Sequence, residues 1–80
     1  MADQEYRTSD LYFAAYLRVA EIKLIDAVRI KGRVVFVFED KGAAVMRDLK
    51  REYFLGNAKV SALTFVQQIR AMKTLTHQTE

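Results

Sequence analysis

The apolar positions of the chain form five stretches, and their spacing predicts three helices and two strands. The first stretch, from about Leu11 to Glu21, has Arg18 as the one charge in its interior. Thr8 or Ser9 can cap the backbone N–H groups at its start, and Asp10 suits the positive end of a helix dipole. Because the stretch is apolar around most of its circumference, we expect this helix to be covered on most sides.

Two runs of β-branched and aromatic residues flank Lys31-Gly32 and predict an antiparallel β-hairpin. The runs are Lys23–Ile30 and Arg33–Glu39, and Gly32 can supply the positive φ of a tight turn. A two-residue turn pairs residue 30 with 33 and continues in the same register to residues 23 and 40. The core face predicted by this register consists of Ile25, Ala27, Val34, Phe36 and Phe38.

The opposite face of the hairpin is too apolar to be in contact with water alone. The second strand has no predicted partner on its far side, and such an unpaired edge readily accepts another strand. We therefore expect either helices on both faces or pairing of the hairpin with its copy in a homodimer. The candidate dimer strand is formed by Val35, Val37 and Glu39.

Two more helices are predicted after the hairpin. The first runs from about Ala43 to Leu55 and ends at Gly56, a natural residue after a helix. The second begins at Ser61, where Val60 and Phe65 have the spacing of a hydrophobic staple. The inward positions are Val45, Met46, Leu49 and Tyr53 on the first helix and Ala62, Phe65, Val66, Ile69 and Met72 on the second.

These elements predict a single small α+β domain that spans residues 1–80. The order is α-β-β-α-α, with an antiparallel hairpin packed against helices, and residues 1–7 and 75–80 are expected to be frayed tails. We expect the centre of the core to be formed by Phe13, Leu17, Phe36, Phe38, Leu49, Phe65 and Ile69.

Composition excludes several classes of protein. None of the 80 residues is cysteine, which rules out disulfides and fits a reducing cytoplasm. With one histidine and no ligand-spaced group of carboxylates, we expect neither a metal nor another cofactor. The longest apolar stretch, Leu11–Leu17, is far shorter than the roughly 20 residues of a membrane span, so we expect a soluble, cytoplasmic protein.

The sequence does not predict an enzyme, and no small-molecule substrate is evident. A nucleophile needs a base within hydrogen-bond reach, but His77 lies in the expected C-terminal tail. Glu39 and Asp40 are neighbours at a strand end, where successive side chains point to opposite faces. We interpret Glu39 as solvated and Asp40 as a cap of the next helix that also pairs with Lys23.

Positive charge is concentrated in the middle of the chain. The net charge is +3, and residues 23–51 contain eight basic and four acidic residues, a local charge of +4. This segment is compatible with nucleic-acid contact or with a solvated basic surface. The candidate contacts are Arg29, Lys31 and Arg33 at the hairpin tip and Lys41, Arg47, Lys50 and Arg51 after it. Tyr12 and Tyr16, which share a helix face, are compatible with base stacking or with a place in the core.

Three stretches, residues 8–17, 35–40 and 51–60, carry a resemblance to a known family. Their sequences are TSDLYFAAYL, VFVFED and REYFLGNAKV. In combination, they resemble a family of short, uncharacterised bacterial and phage-associated proteins that is known only as a domain of unknown function. The resemblance covers about residues 8–75 and implies a stand-alone compact domain, but it names no chemistry and no functional residue.

Two functions remain open from the sequence. The first is a small non-enzymatic interaction module that self-associates as a homodimer and contacts a protein partner through apolar surface. The alternative is an accessory nucleic-acid-binding protein that uses the basic hairpin tip and the second helix.

Overall fold

The elements of the chain follow the order β-α-β-β-α-α. We describe residues 5–56 and 60–79 from a computed structural model. The elements are β1 (Glu5–Thr8), α1 (Leu11–Val19), β2 (Leu24–Ile30), β3 (Arg33–Glu39), α2 (Ala43–Phe54) and α3 (Ala62–Gln78). The predicted α+β class, with a hairpin packed against helices, is confirmed.

Both predicted tails contain regular structure, so these two predictions were wrong. Residues 5–7, expected to fray, belong to β1. Residues 75–78 continue α3, whose last carbonyls accept hydrogen bonds from the side chain of Arg29 in the hairpin. Residues 1–4 and 80 of the expected tails lie outside the described residues.

The turn of the hairpin has the predicted two residues. Lys31 and Gly32 both have positive φ, 52° and 79°, the combination that matches the twist of the flanking strands. The predicted pairs are confirmed from Ile30 opposite Arg33 to Asp26 opposite Val37. A bulge then shifts the register, so that Leu24 rather than Ile25 lies opposite Phe38. Ile25 is consequently 46% exposed and Leu24 packs against the core, which corrects the predicted core face.

The second strand of the hairpin, β3, is the central strand of a three-stranded antiparallel sheet with the order β1-β3-β2. Residues of β1 pair with its far side, from Glu5 opposite Glu39 to Thr8 opposite Phe36. The expectation of an unpaired β3 edge was therefore wrong. It failed because a four-residue strand with a polar sequence, EYRT, carries no clear hydrophobic period.

The start and end of α1 are fixed by local hydrogen bonds. Asp10 is the N-cap, and its Oδ1 accepts from the backbone N–H groups of Tyr12 and Phe13 at 3.0 and 3.1 Å. The helix ends at Val19, two residues before the predicted end. Glu21 adopts a left-handed φ of 63°, and the Ile22 N–H donates to the carbonyl of Leu17 at 3.0 Å, in a Schellman motif.

All three helices contribute to one core cluster on one face of the sheet. Phe13, Leu17, Phe36 and Phe38 are almost completely buried, as predicted. The other expected central residues, Leu49, Phe65 and Ile69, are only partly buried and pack against this cluster. The reason is that α1, with five consecutive buried residues, occupies the centre, while α2 and α3 flank it with narrower inward stripes. Val45, Ala62 and Val66, predicted to face inward, are exposed.

No helix in residues 5–56 and 60–79 has the length and the apolar character needed to span a lipid bilayer.

Candidate interaction surfaces

The sheet has a second face that points away from the core cluster. Its side chains alternate with those of Val34, Phe36 and Phe38, which face the helices. We call it the outer sheet face, and its residues are Glu5, Arg7, Asp26, Val28, Ile30, Arg33, Val35, Val37 and Glu39. None of its four apolar residues belongs to the core cluster or packs against it. Ile30 is 44% exposed, Val28 and Val35 are half-buried, and Val37 lies buried between Arg7 and Asp26.

Charges divide the outer sheet face along the strands. Glu5 and Glu39 lie opposite each other at one end, a pairing of like charges that costs stability by itself. Arg7 offsets it by an ion pair with Glu5 at 3.1 Å, and Lys41 forms an ion pair with Glu39. The hydrogen bond and the charge of Lys41 lower the pKa of Glu39 below its usual range.

The other end of the outer sheet face is basic and open. An open groove beside the hairpin tip is lined by Ile30, Lys31, Arg33 and Val35. Neither Lys31 nor Arg33 has a carboxylate partner within ion-pair distance among the described residues. The face is therefore apolar in its centre, mainly acidic at the end of Glu5 and Glu39, and basic at the tip.

The two edges of the sheet are poor sites for adding a further strand. The β1 edge is four residues long, and the β2 edge is interrupted by the bulge at Ile25. Short strands and bulges are features that protect sheet edges from pairing with other chains. Val35, Val37 and Glu39, expected to form a dimer strand through their backbone, lie on the central strand and instead present side chains on the outer sheet face.

Arg29, one of the predicted basic contacts, is hydrogen-bonded to the end of α3. It lies opposite Val34, on the helix side of the sheet, and its guanidinium donates hydrogen bonds to backbone carbonyls at the end of α3. These acceptors are Thr79, at 3.2 and 3.4 Å, and Thr76, at 3.3 Å, and a further bond reaches Gly32. The last carbonyls of a helix have no partner within the helix and carry its negative dipole end, which a cation satisfies. Arg29 thus joins the hairpin to α3.

The other predicted basic contacts fall into two groups. Lys31 and Arg33 are exposed at the hairpin tip, whereas Arg47, Lys50 and Arg51 are exposed on α2. Lys41 is engaged by Glu39. Within the described ranges, no side-chain hydrogen bond or ion pair connects the tip with α2: Arg29 ties the tip to α3, and Glu52 of α2 accepts from α1.

The exposed side of α2 ends in two large apolar residues that the sequence analysis did not single out. Phe54 and Leu55 are 60% and 63% exposed. Together with Arg47, Lys50 and Arg51 they line an open, largely apolar groove, which we call the α2 surface. Residues 47, 51 and 54 follow helical spacing on the side away from Met46 and Leu49. This spacing is the sequence signal for the α2 surface. Tyr53 continues the inward stripe of α2, whereas Phe54 lies outside it.

A cluster of aromatic rings connects the α2 surface with the core. Phe13 lies 5.3 Å from Tyr53 and 6.2 Å from Phe54 between ring centroids, and Tyr16 lies 5.4 Å from Tyr53. The Tyr16 hydroxyl donates to Glu52 Oε2 at 3.4 Å. Burial, followed by the charge of Glu52, raises the pKa of Tyr16. Tyr16 is a core residue, whereas Tyr12 is 49% exposed.

The remaining candidate chemistry of the sequence lies at separate places. His77 is exposed in the last turn of α3, and therefore in a helix and not in a frayed tail. Asp40 Oδ1 accepts from the Gly42 N–H at 2.8 Å, and the ion pair expected between Asp40 and Lys23 is not formed. In the described part of the chain, no three residues of the types His, Cys, Asp and Glu come together in a group able to hold a metal ion.

The fold and these surfaces define a small α+β domain in which three helices cover one face of a three-stranded sheet. The chain belongs to the family described as a domain of unknown function, DUF5659, whose model matches residues 3–77. This match confirms the resemblance to a family of unknown function. No curated protein and no solved structure matches the chain.

Proposed function

We propose that this protein is a small non-enzymatic interaction module that forms a homodimer through the outer sheet face. The observation that carries the proposal is the apolar centre of that face, Val28, Ile30, Val35 and Val37, which the helices of the same chain do not cover. An antiparallel sheet with one solvated face normally alternates apolar and polar residues. Val28, Ile30 and Val35 remain half-buried or exposed on the face away from the helices, and this favours a protein surface as their neighbour.

The order of charges favours a second copy as that neighbour. One half of the face has three carboxylates, Glu5, Asp26 and Glu39, against Arg7 and Lys41, while the tip has Lys31 and Arg33. A twofold axis between two such faces, perpendicular to the strands, places the acidic half of one copy over the basic tip of the other. The apolar centres then meet, and unlike charges face each other on both sides.

The sheet edges also favour association through the outer sheet face over pairing of strands between copies. The bulge in β2 and the shortness of β1 oppose continuous edge pairing. The face needs no rearrangement of the backbone, because Val28, Ile30 and Val35 already present part of their side chains on it.

Nucleic-acid binding is the alternative. It is supported by five exposed basic residues without an ion-pair partner in the described part of the chain: Lys31, Arg33, Arg47, Lys50 and Arg51. It is weakened because Arg29 and Lys41 are engaged and because the remainder form two groups. Binding to phosphates depends steeply on salt, so a gel-shift assay at low salt is the test of this alternative.

Sedimentation equilibrium from low to high micromolar concentration tests the dimer. We expect the wild type to self-associate and Val35→Arg to be monomeric with an unchanged circular dichroism spectrum. Val45→Arg is the matched control, because Val45 is a 45% exposed valine on α2, away from the outer sheet face. A wild type that stays monomeric throughout this range, or a folded Val35→Arg variant that dimerises like the wild type, contradicts the proposal.

A charge exchange tests the orientation of the two copies. We expect Arg33→Glu to weaken self-association, because it places like charges across the interface. Mixing this variant with Glu5→Arg should restore a heterodimer, measured by the same sedimentation method at moderate salt. If the mixture associates no better than either variant alone, the antiparallel arrangement is wrong.

The setting of this module is also a proposal. A cytoplasmic location agrees with the cysteine-free composition. A bacterial or phage origin is to be tested by genome neighbours, which would also distinguish a replication context from a host operon.

A further inference from the structure

We propose that the α2 surface binds an acidic, amphipathic segment of another protein, in which a bulky apolar side chain is flanked by Asp or Glu. This inference does not depend on the homodimer, because the α2 surface lies on the helix layer and not on the outer sheet face.

The apolar part of the α2 surface is the first argument. Phe54 and Leu55 are adjacent, large and more than half exposed, at the point where α2 ends. Single exposed apolar residues are common on protein surfaces, but two neighbours that line one apolar groove form a place for a partner side chain. Phe54 is also held by its contacts with Phe13 and Tyr53, which lie 6.2 and 5.0 Å away between ring centroids. A ring held in place loses little conformational entropy on binding.

The charges around the groove determine the chemistry of the partner. Arg47, Lys50 and Arg51 line the same groove, and none of them forms an ion pair within residues 5–56 and 60–79. Aromatic and arginine side chains are the residue types that contribute most to protein interfaces. Arginine also binds carboxylates with two parallel hydrogen bonds. An acidic segment with an apolar residue would therefore satisfy both parts of the α2 surface.

The length of the α2 surface along the helix suits a short peptide segment. Arg47 and Phe54 are seven residues apart on one helix, which corresponds to about 10 Å along the axis. Two turns of a partner helix, or three residues of an extended strand, cover this distance.

The acidic residues beside the groove favour a peptide over a nucleic acid. Asp48 and Glu52, together with Arg51 and Leu55, line a second groove that adjoins the first. Their charges repel a continuous phosphate backbone, but a peptide can place a neutral or basic residue next to them.

Selection from a random peptide library displayed on phage, with the full chain as bait, tests the proposal. We expect enrichment of peptides in which Leu, Ile or Phe is flanked by Asp or Glu. A synthetic peptide of the selected sequence should lose about tenfold or more in affinity for Phe54→Ala and for Arg47→Glu, as measured by fluorescence anisotropy. Leu63→Ala is the matched control, because Leu63 is 68% exposed on α3 and does not line the groove, so its affinity should be unchanged.

Three outcomes would overturn the inference. The first is selection without enrichment of acidic residues, and the second is selected peptides that bind Phe54→Ala and wild type equally well. The third is single-stranded DNA binding that is lost in Phe54→Ala, which would assign the surface to nucleic acid. Repeating the peptide titration with Val35→Arg separates the two proposals: unchanged affinity supports an α2 surface that works without the dimer, and lost affinity in the folded variant contradicts that independence.

Discussion

The guanidinium of Arg29 donates hydrogen bonds at 3.2 and 3.4 Å to the backbone carbonyl of Thr79, fifty positions further along the chain. A third bond, at 3.3 Å, reaches the Thr76 carbonyl. These contacts join the edge strand of the sheet to the end of the longest helix. A residue that the sequence suggested for anion binding is therefore a C-terminal cap of α3, supplied by another element.

Replacing Arg29 should destabilise the end of α3. We expect Arg29→Met to lower the free energy of unfolding by about 1–2 kcal/mol, because the carbonyls of the last helical turn lose their charged donor. Urea unfolding measures this change, and hydrogen exchange should show faster opening near the end of α3. Arg70→Met, at an exposed position of α3 outside both proposed interfaces, should remain within about 0.5 kcal/mol of the wild type. Equal effects of the two substitutions would contradict the capping role.

The example of Arg29 shows how far the candidate site could be predicted. Strand alternation alone places residue 29 on the same face as residues 27 and 34, the core face of the predicted register. The sequence also suggested that the hairpin has a second apolar face. It could not indicate which helix end lies under the tip, because that depends on the packing of α3 across a long sequence separation. The α2 surface could not be predicted, because the inward stripe of α2 does not determine whether an apolar residue outside it, such as Phe54, stays exposed.

Two phenylalanines with opposite exposure test the assignment of the core. Phe36 is 1% exposed and Phe54 is 60% exposed. We expect Phe36→Ala to cost about 3–5 kcal/mol of unfolding free energy, since a buried cavity remains. Phe54→Ala should cost about 1 kcal/mol or less, because it loses only its contacts with two neighbouring rings. Chemical denaturation of both variants provides the comparison, and similar losses would show that the core has been assigned wrongly.

The left-handed residue after α1 offers a stabilising substitution. Glu21 has a φ of 63°, which glycine adopts without steric cost. We expect Glu21→Gly to raise the free energy of unfolding by about 1 kcal/mol, because it relieves this strain at the end of the Schellman motif. Arg18→Gly, at an exposed position inside the same helix, should lower it by about 1 kcal/mol. Thermal unfolding of both variants measures these changes. If Glu21→Gly destabilises the protein as Arg18→Gly does, the left-handed conformation of residue 21 is not a source of strain.

Removing β1 should expose the edge that it covers. Deletion of residues 1–8 uncovers the far side of β3 from Phe36 to Glu39 and removes Arg7 from above Val37. We expect a lower melting temperature and concentration-dependent aggregation, since an apolar strand edge becomes accessible. Deletion of residues 1–4 leaves β1 complete and is the control for shortening the chain. Light scattering during heating compares the aggregation of the two variants. If both melt at the same temperature and neither aggregates, β1 contributes little to stability and does not protect the edge of β3.

Alkaline pH should weaken the fold through its tyrosines. Burial, with smaller contributions from nearby carboxylates, raises the pKa values of Tyr6 and Tyr16, and burial with the charge of Asp10 raises that of Tyr53. A tyrosine in the unfolded chain ionises at about pH 10. The stability that the raised pKa values contribute is therefore fully present below this pH. Above it, the unfolded chain loses protons before the folded one, and stability falls as the pH rises towards the folded pKa values.

Urea unfolding between neutral and strongly alkaline pH measures this decline. We expect Tyr16→Phe to make the decline shallower, because one of the raised hydroxyls is absent. Its effect at neutral pH should be small, since the hydrogen bond to Glu52 is long, at 3.4 Å. An unchanged alkaline slope in this variant would show that Tyr16 does not contribute.

Most of the fold could be predicted from local patterns, and the errors share a physical cause. The turn at Lys31-Gly32, the Ser61 cap and the burial of Phe36 and Phe38 all follow from nearby sequence. β1 could not be predicted, because it is defined by its pairing with β3 and not by a hydrophobic alternation in its own sequence. The bulge at Ile25 likewise depends on how the sheet accommodates its neighbours.

The position of β1 has a consequence for the order of folding. The hairpin closes between residues 30 and 33, three positions apart, whereas β1 meets β3 through Thr8 with Phe36 and Glu5 with Glu39, separations of 36 − 8 = 28 and 39 − 5 = 34. Local closure costs less chain entropy, so β2 and β3 should pair first and offer a template for the N-terminal strand. Because β1 precedes the hairpin in the chain, it leaves the ribosome before this template exists. An element that is synthesised earlier is therefore completed later, an order that pulse-labelled hydrogen exchange during refolding can test.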